Sequence, residues 1–210
     1  CKDLRNTKKK QNQKTDLTVF PIPIALEEIN QFIFNLSNFD NLSKKQIINK
    51  AFNFHSDGNL EEAIRYYKHF IEKGFIDHRV FSNYGVILQK KGNITLAIKL
   101  YQESIRLFPN NPDAYCNLGA LYRDLTKWKE AELYTRKAID LNPNSPEAHF
   151  NLGSILKLIG KLKESEFHTR KAIDLNPNFS QAYYNLGLLM KDQGDLSEAE
   201  LYTKKAIELN

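Results

Sequence analysis

The chain has 210 residues, of which 41% are hydrophobic and 26% are charged, and its formal net charge is +5 at pH 7. This apolar fraction is enough to fill a core, which excludes a wholly disordered chain. Two cysteines, Cys1 and Cys116, are too few for a disulfide-rich secreted scaffold, and no apolar run is long enough to span a membrane. Reduced cysteines and the lack of a visible secretory signal favour the cytoplasm.

The positive charge is concentrated in residues 1–16, which are predicted to be a basic disordered tail. This segment holds six Lys/Arg and two Asp, a net charge of +4, and leaves 24 basic and 23 acidic residues in the rest of the chain. A short basic run is typical of a solvated arm, because phosphate binding needs several cations held together on one surface. We therefore expect neither nucleic acid nor a membrane as a partner. Because the chain begins with Cys1, we expect it to be a fragment.

Residues 17–43 are predicted to form an N-terminal capping segment. Pro21 and Pro23 impose an extended stretch, after which apolar residues recur at helical spacing. A short amphipathic helix of this kind either covers the apolar end of a domain or lies on a membrane surface. Two acids, Glu27 and Glu28, and the absence of flanking Lys/Arg on the polar side favour the cap.

A 34-residue repeat organises the remainder of the chain. Asn-Leu-Gly begins at Asn117, Asn151 and Asn185, 34 residues apart, and the related positions Asn83 and Asn49 extend the series toward the N-terminus. Internal repeats of this length indicate an array of similar structural units. Five units are predicted in residues 44–210, at 44–77, 78–111, 112–145, 146–179 and 180–210.

Each unit is predicted to be a pair of helices. Apolar residues recur at helical spacing in both halves, and glycines such as Gly92 and Gly160 between the halves fit a left-handed helix stop. Thr126 takes the place of that glycine in the third unit. Pro143 and Pro177 end second helices, since proline disfavours helix in the residue before it.

Glycine also recurs inside the first helices, at Gly85, Gly119, Gly153 and Gly187. A glycine inside a helix costs about 1 kcal/mol relative to alanine. Its return at one register predicts close backbone contact with a neighbouring helix.

These residues resemble the tetratricopeptide repeat family. The third unit carries the family pattern in Leu118, Gly119, Tyr122, Ala131, Ala138 and Pro143. The resemblance implies an all-α fold, a right-handed superhelical solenoid of antiparallel helix pairs, with the first helices on the inner surface. The first unit departs from the pattern at Lys50, Phe70 and Phe75, which suits a terminal cap.

The asparagines that share one register are the candidate binding residues. Asparagine is a poor helix former, and its amide is both a donor and an acceptor. Such a series either fixes the repeat spacing by bonding to the neighbouring helix or forms a ladder along the inner surface. Similarity to the asparagine ladder of O-linked N-acetylglucosamine transferases implies a ladder that grips the backbone of an extended peptide. The predicted rungs are Asn49, Asn83, Asn117, Asn151 and Asn185.

A second register, six residues after each asparagine, adds positive charge. Its last three members are Arg123, Lys157 and Lys191, which are also predicted to be peptide-binding residues. A cationic strip favours an acidic segment, although adjacent aspartates dilute the charge.

Catalytic chemistry is not indicated by any motif. Phosphate-binding loops, zinc-protease motifs and Cys-x-x-Cys are absent, and the five histidines fall at different registers of the repeat and predict no ligand pair. We therefore predict no catalytic residue, metal or cofactor, and expect that this chain alone is not an enzyme.

The predicted function is a protein–protein interaction module that binds an extended peptide or protein segment in the concave groove. The alternative is that these are the substrate-recognition repeats of a larger transferase, whose catalytic domain lies outside the chain. Self-association is also expected, since Tyr202, Ala206, Ile207 and Leu209 of the last helix lack a following repeat.

Overall fold

A computed structural model describes residues 42–210. The basic tail and most of the capping segment predicted from the sequence lie outside the described residues. The described part consists of ten α-helices of 13 or 14 residues, α1 Lys44–Ser56, α2 Leu60–Glu72, α3 His78–Lys90, α4 Ile94–Leu107, α5 Pro112–Asp124, α6 Trp128–Leu141, α7 Pro146–Leu158, α8 Leu162–Leu175, α9 Ser180–Gln193 and α10 Leu196–Glu208. None of these ten helices is long and apolar enough to cross a bilayer.

Local sequence signals set the ends of the helices. Ser43 and Gln46 form a capping box at the start of α1, in which each side chain accepts a hydrogen bond from the other residue's backbone N–H. Asn176 is extended before Pro177 and ends α8, since proline disfavours helix in the residue before it. The turns inside the helix pairs contain a residue with positive φ, as predicted, at Gly58, Gly92, Thr126, Gly160 and Gly194.

Consecutive helices pair as α1–α2, α3–α4, α5–α6, α7–α8 and α9–α10, here called repeats 1 to 5, each with a first and a second helix. In repeats 2 to 5, a glycine of the first helix lies against the second helix. A Cβ atom on Gly153 would lie 2.5 Å from Thr169 Oγ1 and 3.2 Å from the Ser165 carbonyl oxygen. On Gly187 it would lie 2.6 Å from Thr203 Oγ1. Close helix contact at this register, predicted from the sequence, is confirmed.

Stacking of the repeats produces a curved solenoid. Each second helix packs on the first helix of the next repeat, and the first helices of adjacent repeats from α3 to α9 also pack on one another. Second helices do not pack closely on each other in residues 42–210. First helices are therefore closer together and line the concave surface, while second helices lie on the convex surface. The architecture is the predicted all-α, right-handed superhelical solenoid of antiparallel helix pairs.

Long charged side chains bridge the wider spacing on the convex surface. Arg136 of α6 forms ion pairs with Glu132 of its own helix at 2.8 Å and with Glu164 of α8 at 2.5 Å. Arg170 of α8 repeats the arrangement with Glu198 of α10 at 3.2 Å. Networks of this kind are stronger than isolated surface ion pairs, so they support the register of repeats 3 to 5.

A hydrogen-bonded histidine pair lies inside repeat 4, where the sequence indicated none. His149 Nε2 lies 3.0 Å from the Pro143 carbonyl oxygen, and its Nδ1 lies 2.9 Å from His168 Nδ1. Since a carbonyl only accepts, His149 carries its proton on Nε2 and its Nδ1 accepts from His168. Repeats 3 and 5 have tyrosines in the same two places, Tyr115–Tyr134 and Tyr183–Tyr202, with ring centroids 6.3 and 6.4 Å apart.

Burial keeps both histidines neutral. It lowers the pKa of His149 and, with the neighbouring His149, lowers the pKa of His168 to about 4. At His149 the hydrogen bond to the Pro143 carbonyl opposes the shift and Lys171 adds to it. At His168 Glu164 opposes the shift and Arg136 adds to it. Protonation of the pair would place a charge in a largely buried site.

Replacing Gly153 with leucine should destabilise the chain. The larger side chain would meet Thr169 and the backbone of α8, and overpacking of this kind typically costs about 1–3 kcal/mol. Urea unfolding followed by circular dichroism measures the cost. Lys163→Leu, at an exposed position of α8, is the control and should change the unfolding free energy by less than about 0.5 kcal/mol. Equal stability of the two variants would contradict the close contact.

The histidine pair should make the chain sensitive to acid. An unfolded histidine takes up a proton below its ordinary pKa near 6.5, whereas folded His168 does so only near pH 4. The unfolded state therefore holds more protons in this window, and the free energy of unfolding should fall as the pH is lowered from 6.5 to 4. Urea unfolding at a series of pH values measures this slope.

The matched control replaces the histidine pair with the tyrosine pair found at the same places in repeats 3 and 5. His149→Tyr combined with His168→Tyr should fold and should show a shallower loss of stability between pH 6.5 and 4. An unchanged slope in the double variant would show that other groups cause the acid sensitivity.

Candidate functional site

The predicted asparagine rungs lie on the five first helices, α1, α3, α5, α7 and α9. Asn49 is exposed, and the other four are partly buried. Because first helices line the concave surface, the series follows that surface from one repeat to the next. The predicted residues thus lie on the face proposed for binding, at helix positions that repeat every 34 residues.

Three of these side chains bond back to the preceding repeat. Asn83 hydrogen-bonds with the Tyr67 hydroxyl, and Asn185 Nδ2 donates to Ser154 Oγ at 3.2 Å. Asn151 is engaged at both ends, since its Nδ2 donates to Cys116 Sγ at 3.3 Å and its Oδ1 accepts from Arg123 at 3.2 Å. These bonds match the structural role considered above, in which the amide fixes the spacing of repeats.

Asn117 differs from those three. Within residues 42–210 its side chain has no hydrogen-bond partner, and it lines an open cleft. Both its donor and its acceptor groups are therefore available to a bound molecule.

The cleft is a depression of about 510 Å³ on the concave surface. Its walls come from the first helices of repeats 2, 3 and 4, with Phe52 of α1 at one end. Two asparagine rungs line it, Asn83 and Asn117, together with Ser82, Cys116 and Ala148. A volume of this size is within the range of natural ligand sites.

Small side chains at one register open the cleft. The residue before each asparagine is Ser82 in repeat 2 and Cys116 in repeat 3, whereas repeats 1, 4 and 5 have Ile48, Phe150 and Tyr184. The sequence carries this signal as a difference between repeats, whereas the 34-residue period shows only what the repeats share. The cleft lies at the two repeats that have a small side chain at this register.

The Cys116 thiol in the cleft favours its neutral form. Burial raises the pKa of its thiol to about 11, and the acids Glu147 and Asp113 add to the shift, against opposing effects of Asn151 and Arg123. The neutral thiol is weakly reactive. Cys116 therefore acts as the small side chain predicted from the sequence. In residues 42–210, no group of three or more His, Cys, Asp or Glu is placed to hold a metal ion.

The predicted cationic strip is largely paired. Arg123 forms an ion pair with Asp124 at 2.8 Å, and Lys157 forms one with Asp192 at 3.1 Å. Lys191 is exposed. The aspartates neutralise two of the three positive charges, so this wall of the groove attracts an acidic segment less than the sequence implied.

The opposite wall of the groove carries acids near the cleft. Asp113 and Glu147 lie in the first turns of α5 and α7, and both are exposed. Arg79 of α3 also lines the cleft, but its guanidinium pairs with Asp77 at 2.8 Å and lies 5.1 Å from the centre of the Phe52 ring.

Comparison with family models identifies repeats over a continuous part of the chain. A TPR repeat model matches residues 85–125, and tetratricopeptide repeat models match residues 112–145, 134–167 and 168–201. A search of curated proteins finds no match for the sequence.

Solved structures share the fold. MamA is 25% identical, with a TM-score of 0.63 over 76% of this chain and 93% of its own. MamA from Desulfovibrio magneticus RS-1 is 23% identical, with a TM-score of 0.67 over 79% of this chain and 94% of its own. YrrB, described as a TPR protein with an unusual peptide-binding site, is 24% identical, with a TM-score of 0.62 over 85% of this chain and 92% of its own.

The family matches together run from residue 85 to residue 201, which is more than half of the chain. They coincide with the helix pairs, the glycine contacts and the left-handed turns described above. The chain belongs to the tetratricopeptide repeat family.

Proposed function

We propose that the chain binds an extended peptide or protein segment in its concave groove. The observation that carries this proposal is the cleft, which opens on the concave surface and is lined by the rungs Asn83 and Asn117. The peptide-binding site described for YrrB, a protein of the same fold, is in keeping with this use of the fold. Recognition of a transferase substrate, the alternative left open by the sequence, would use the same groove.

The rungs differ in what they offer to a peptide. Asn117 has a free donor and a free acceptor within the described residues, so it can meet one N–H and one C=O of a peptide backbone. Asn151 is already bonded to Cys116 and Arg123 and would have to exchange those bonds. We therefore assign the main backbone contacts to Asn117, with Asn83 beside it, and a spacing role to Asn151.

Spacing limits how the peptide lies. Packed helices are about 8–10 Å apart, whereas an extended strand advances roughly 6.6–6.8 Å for every two residues. A straight strand along the solenoid axis would therefore lose register with the rungs. The segment must cross the first helices at a slant or follow the curvature of the groove.

Asn117→Ala should weaken binding without affecting folding. Two lost backbone bonds, each contributing about 0.5–1.5 kcal/mol, correspond to roughly a tenfold loss of affinity. The ligand is a peptide selected from a random library on the immobilised full chain, and its affinity is measured by fluorescence anisotropy. Thermal melting of the variant should be unchanged or slightly raised, since alanine is the better helix former.

Asn151→Ala is the matched control. It removes the bonds to Cys116 and Arg123, so it should lower the unfolding free energy by roughly 1 kcal/mol and change affinity less than Asn117→Ala. Unaltered affinity in Asn117→Ala would end the backbone-contact proposal.

We also propose self-association through the last repeat. Ile207 of α10 is 72% exposed, although its counterparts Ile139 and Ile173 are partly buried. Tyr184 is 53% exposed, whereas its counterpart Phe150 packs on Phe179 with ring centroids 5.0 Å apart. Solenoid ends without a polar covering are prone to associate.

Sedimentation equilibrium at rising concentration should show reversible association that Ile207→Lys weakens, because a charge in the contact must be desolvated. The control is Leu133→Lys, which changes a residue of similar exposure (66%) on α6, away from this end. A strict monomer at all concentrations would contradict the proposal, as would equal effects of the two variants.

A further inference from the structure

The cleft is lined by two acidic side chains without an ion-pair partner in the described residues. Asp113 and Glu147 line it from adjacent first helices, and neither forms an ion pair within residues 42–210. Glu147 accepts one hydrogen bond, from the Ser145 hydroxyl at 3.2 Å. Both residues line the cleft together with Cys116.

The arginine of the cleft lining is already paired. Arg79 meets Asp77 through two hydrogen bonds, at 3.0 Å from Nε and 2.8 Å from Nη2, and its guanidinium lies over Phe52. A bidentate pair of this kind holds the guanidinium in place and offsets its charge. Asp113 and Glu147 are therefore the carboxylates of the lining that remain without an ion pair in the described residues.

A buried hydroxyl in the cleft also lacks a partner. Ser82 is 6% exposed, lines the cleft, and its Oγ has no hydrogen-bond partner in the described part of the chain. Buried polar groups are nearly always hydrogen-bonded, so the Ser82 hydroxyl is an unused donor and acceptor in the lining of the cleft. A hydroxyl can accept a hydrogen bond from a cation as well as donate one.

We propose that the cleft is a specificity pocket for a lysine or arginine side chain of the bound segment. This inference rests on the proposed function. The aliphatic stem lies against Cys116 and Ala148, and the charged end is shared by Asp113 and Glu147. Adjacent helix axes are about 8–10 Å apart, so one cation between the two helices is close to both carboxylates. Long basic side chains combine an apolar stem and a charged end in this way.

Two positive side chains elsewhere in the groove are paired with aspartates, so they do not oppose the binding of a basic segment. Arg123 and Lys157 are held by Asp124 and Asp192. An acidic segment, favoured by the sequence alone, would bring its carboxylates toward Asp113 and Glu147 and would be repelled. We therefore assign a basic segment to the groove.

A positional-scanning peptide library on the immobilised full chain tests the pocket. One position of the retained peptides should be dominated by lysine or arginine. Replacing that residue with norleucine, which keeps the stem and removes the charge, should weaken binding to the wild-type chain about tenfold in fluorescence anisotropy. The loss should be smaller at high salt, because screening weakens the exposed carboxylates.

The double variant Asp113→Asn with Glu147→Gln should bind the basic and norleucine peptides equally. The control, Asp174→Asn with Glu200→Gln, makes the same change of charge on exposed residues of α8 and α10 and should keep the wild-type preference. Circular dichroism shows whether both variants fold. The norleucine comparison uses the wild-type chain, so it tests the pocket even if a variant does not fold.

The outcomes separate the two proposals. If no peptide of any composition is retained, the proposed function itself is overturned. If peptides are retained without a basic position, or if the basic preference survives in Asp113→Asn with Glu147→Gln, the specificity pocket is overturned and the binding groove stands.

Discussion

The close contact between a glycine of each first helix and the second helix beside it sets the geometry of repeats 2 to 5. A Cβ atom at Gly85 would lie 2.5 Å from the Tyr101 ring, and one at Gly153 would lie equally close to Thr169 Oγ1. Without that atom, the two helices of a repeat pack tightly enough for first helices to stack on first helices. The concave surface follows from this stacking, because the second helices are left farther apart.

Helix packing around the glycine contact also determines at which positions the size of the side chain can vary. Leu118, Leu152 and Leu186 are almost fully buried between helices, so their size is fixed by packing. The residue two positions earlier in each unit borders the groove, where size is limited less by the core. In repeat 4 this residue is Phe150, which packs on Phe179, and in repeat 3 it is Cys116, which leaves a cleft. The same scaffold can therefore form different side-chain pockets when the residue at this one position of the repeat changes.

The asparagines of the ladder differ in their hydrogen-bond partners. Asn83, Asn151 and Asn185 tie their repeats to the preceding one. Asn117 is not used in this way within residues 42–210 and lies beside the acids of the cleft. A periodic residue can thus be kept for spacing in most repeats and be available for binding in one.

The repeats themselves could be predicted from the sequence because their signals are local. Positive φ at Gly160 and Thr126, and the extended residue before Pro177, depend on neighbours a few positions away. The contacts of the site are not local. His149 meets His168 19 residues later, and Lys157 meets Asp192 35 residues later, through helix packing that spacing alone does not fix.

The cleft could not be predicted for a different reason. It forms where two repeats have small side chains in place of large ones. The 34-residue period reveals the asparagine that returns in every unit. It does not reveal Ser82 and Cys116, which are small where the other three repeats have a large residue. The sequence likewise shows Arg123 and Lys157 but not the ion pairs that they form in the folded chain.

The central claim is that the concave surface of the first helices holds an extended segment at the cleft. The most direct measurement is a crystal structure of the full chain with a peptide selected on it. We predict continuous peptide density across α3, α5 and α7, backbone hydrogen bonds to Asn117, and one side chain in the cleft above Cys116. Density confined to the convex surface of the second helices, or to the face of α10 around Ile207, would contradict the account.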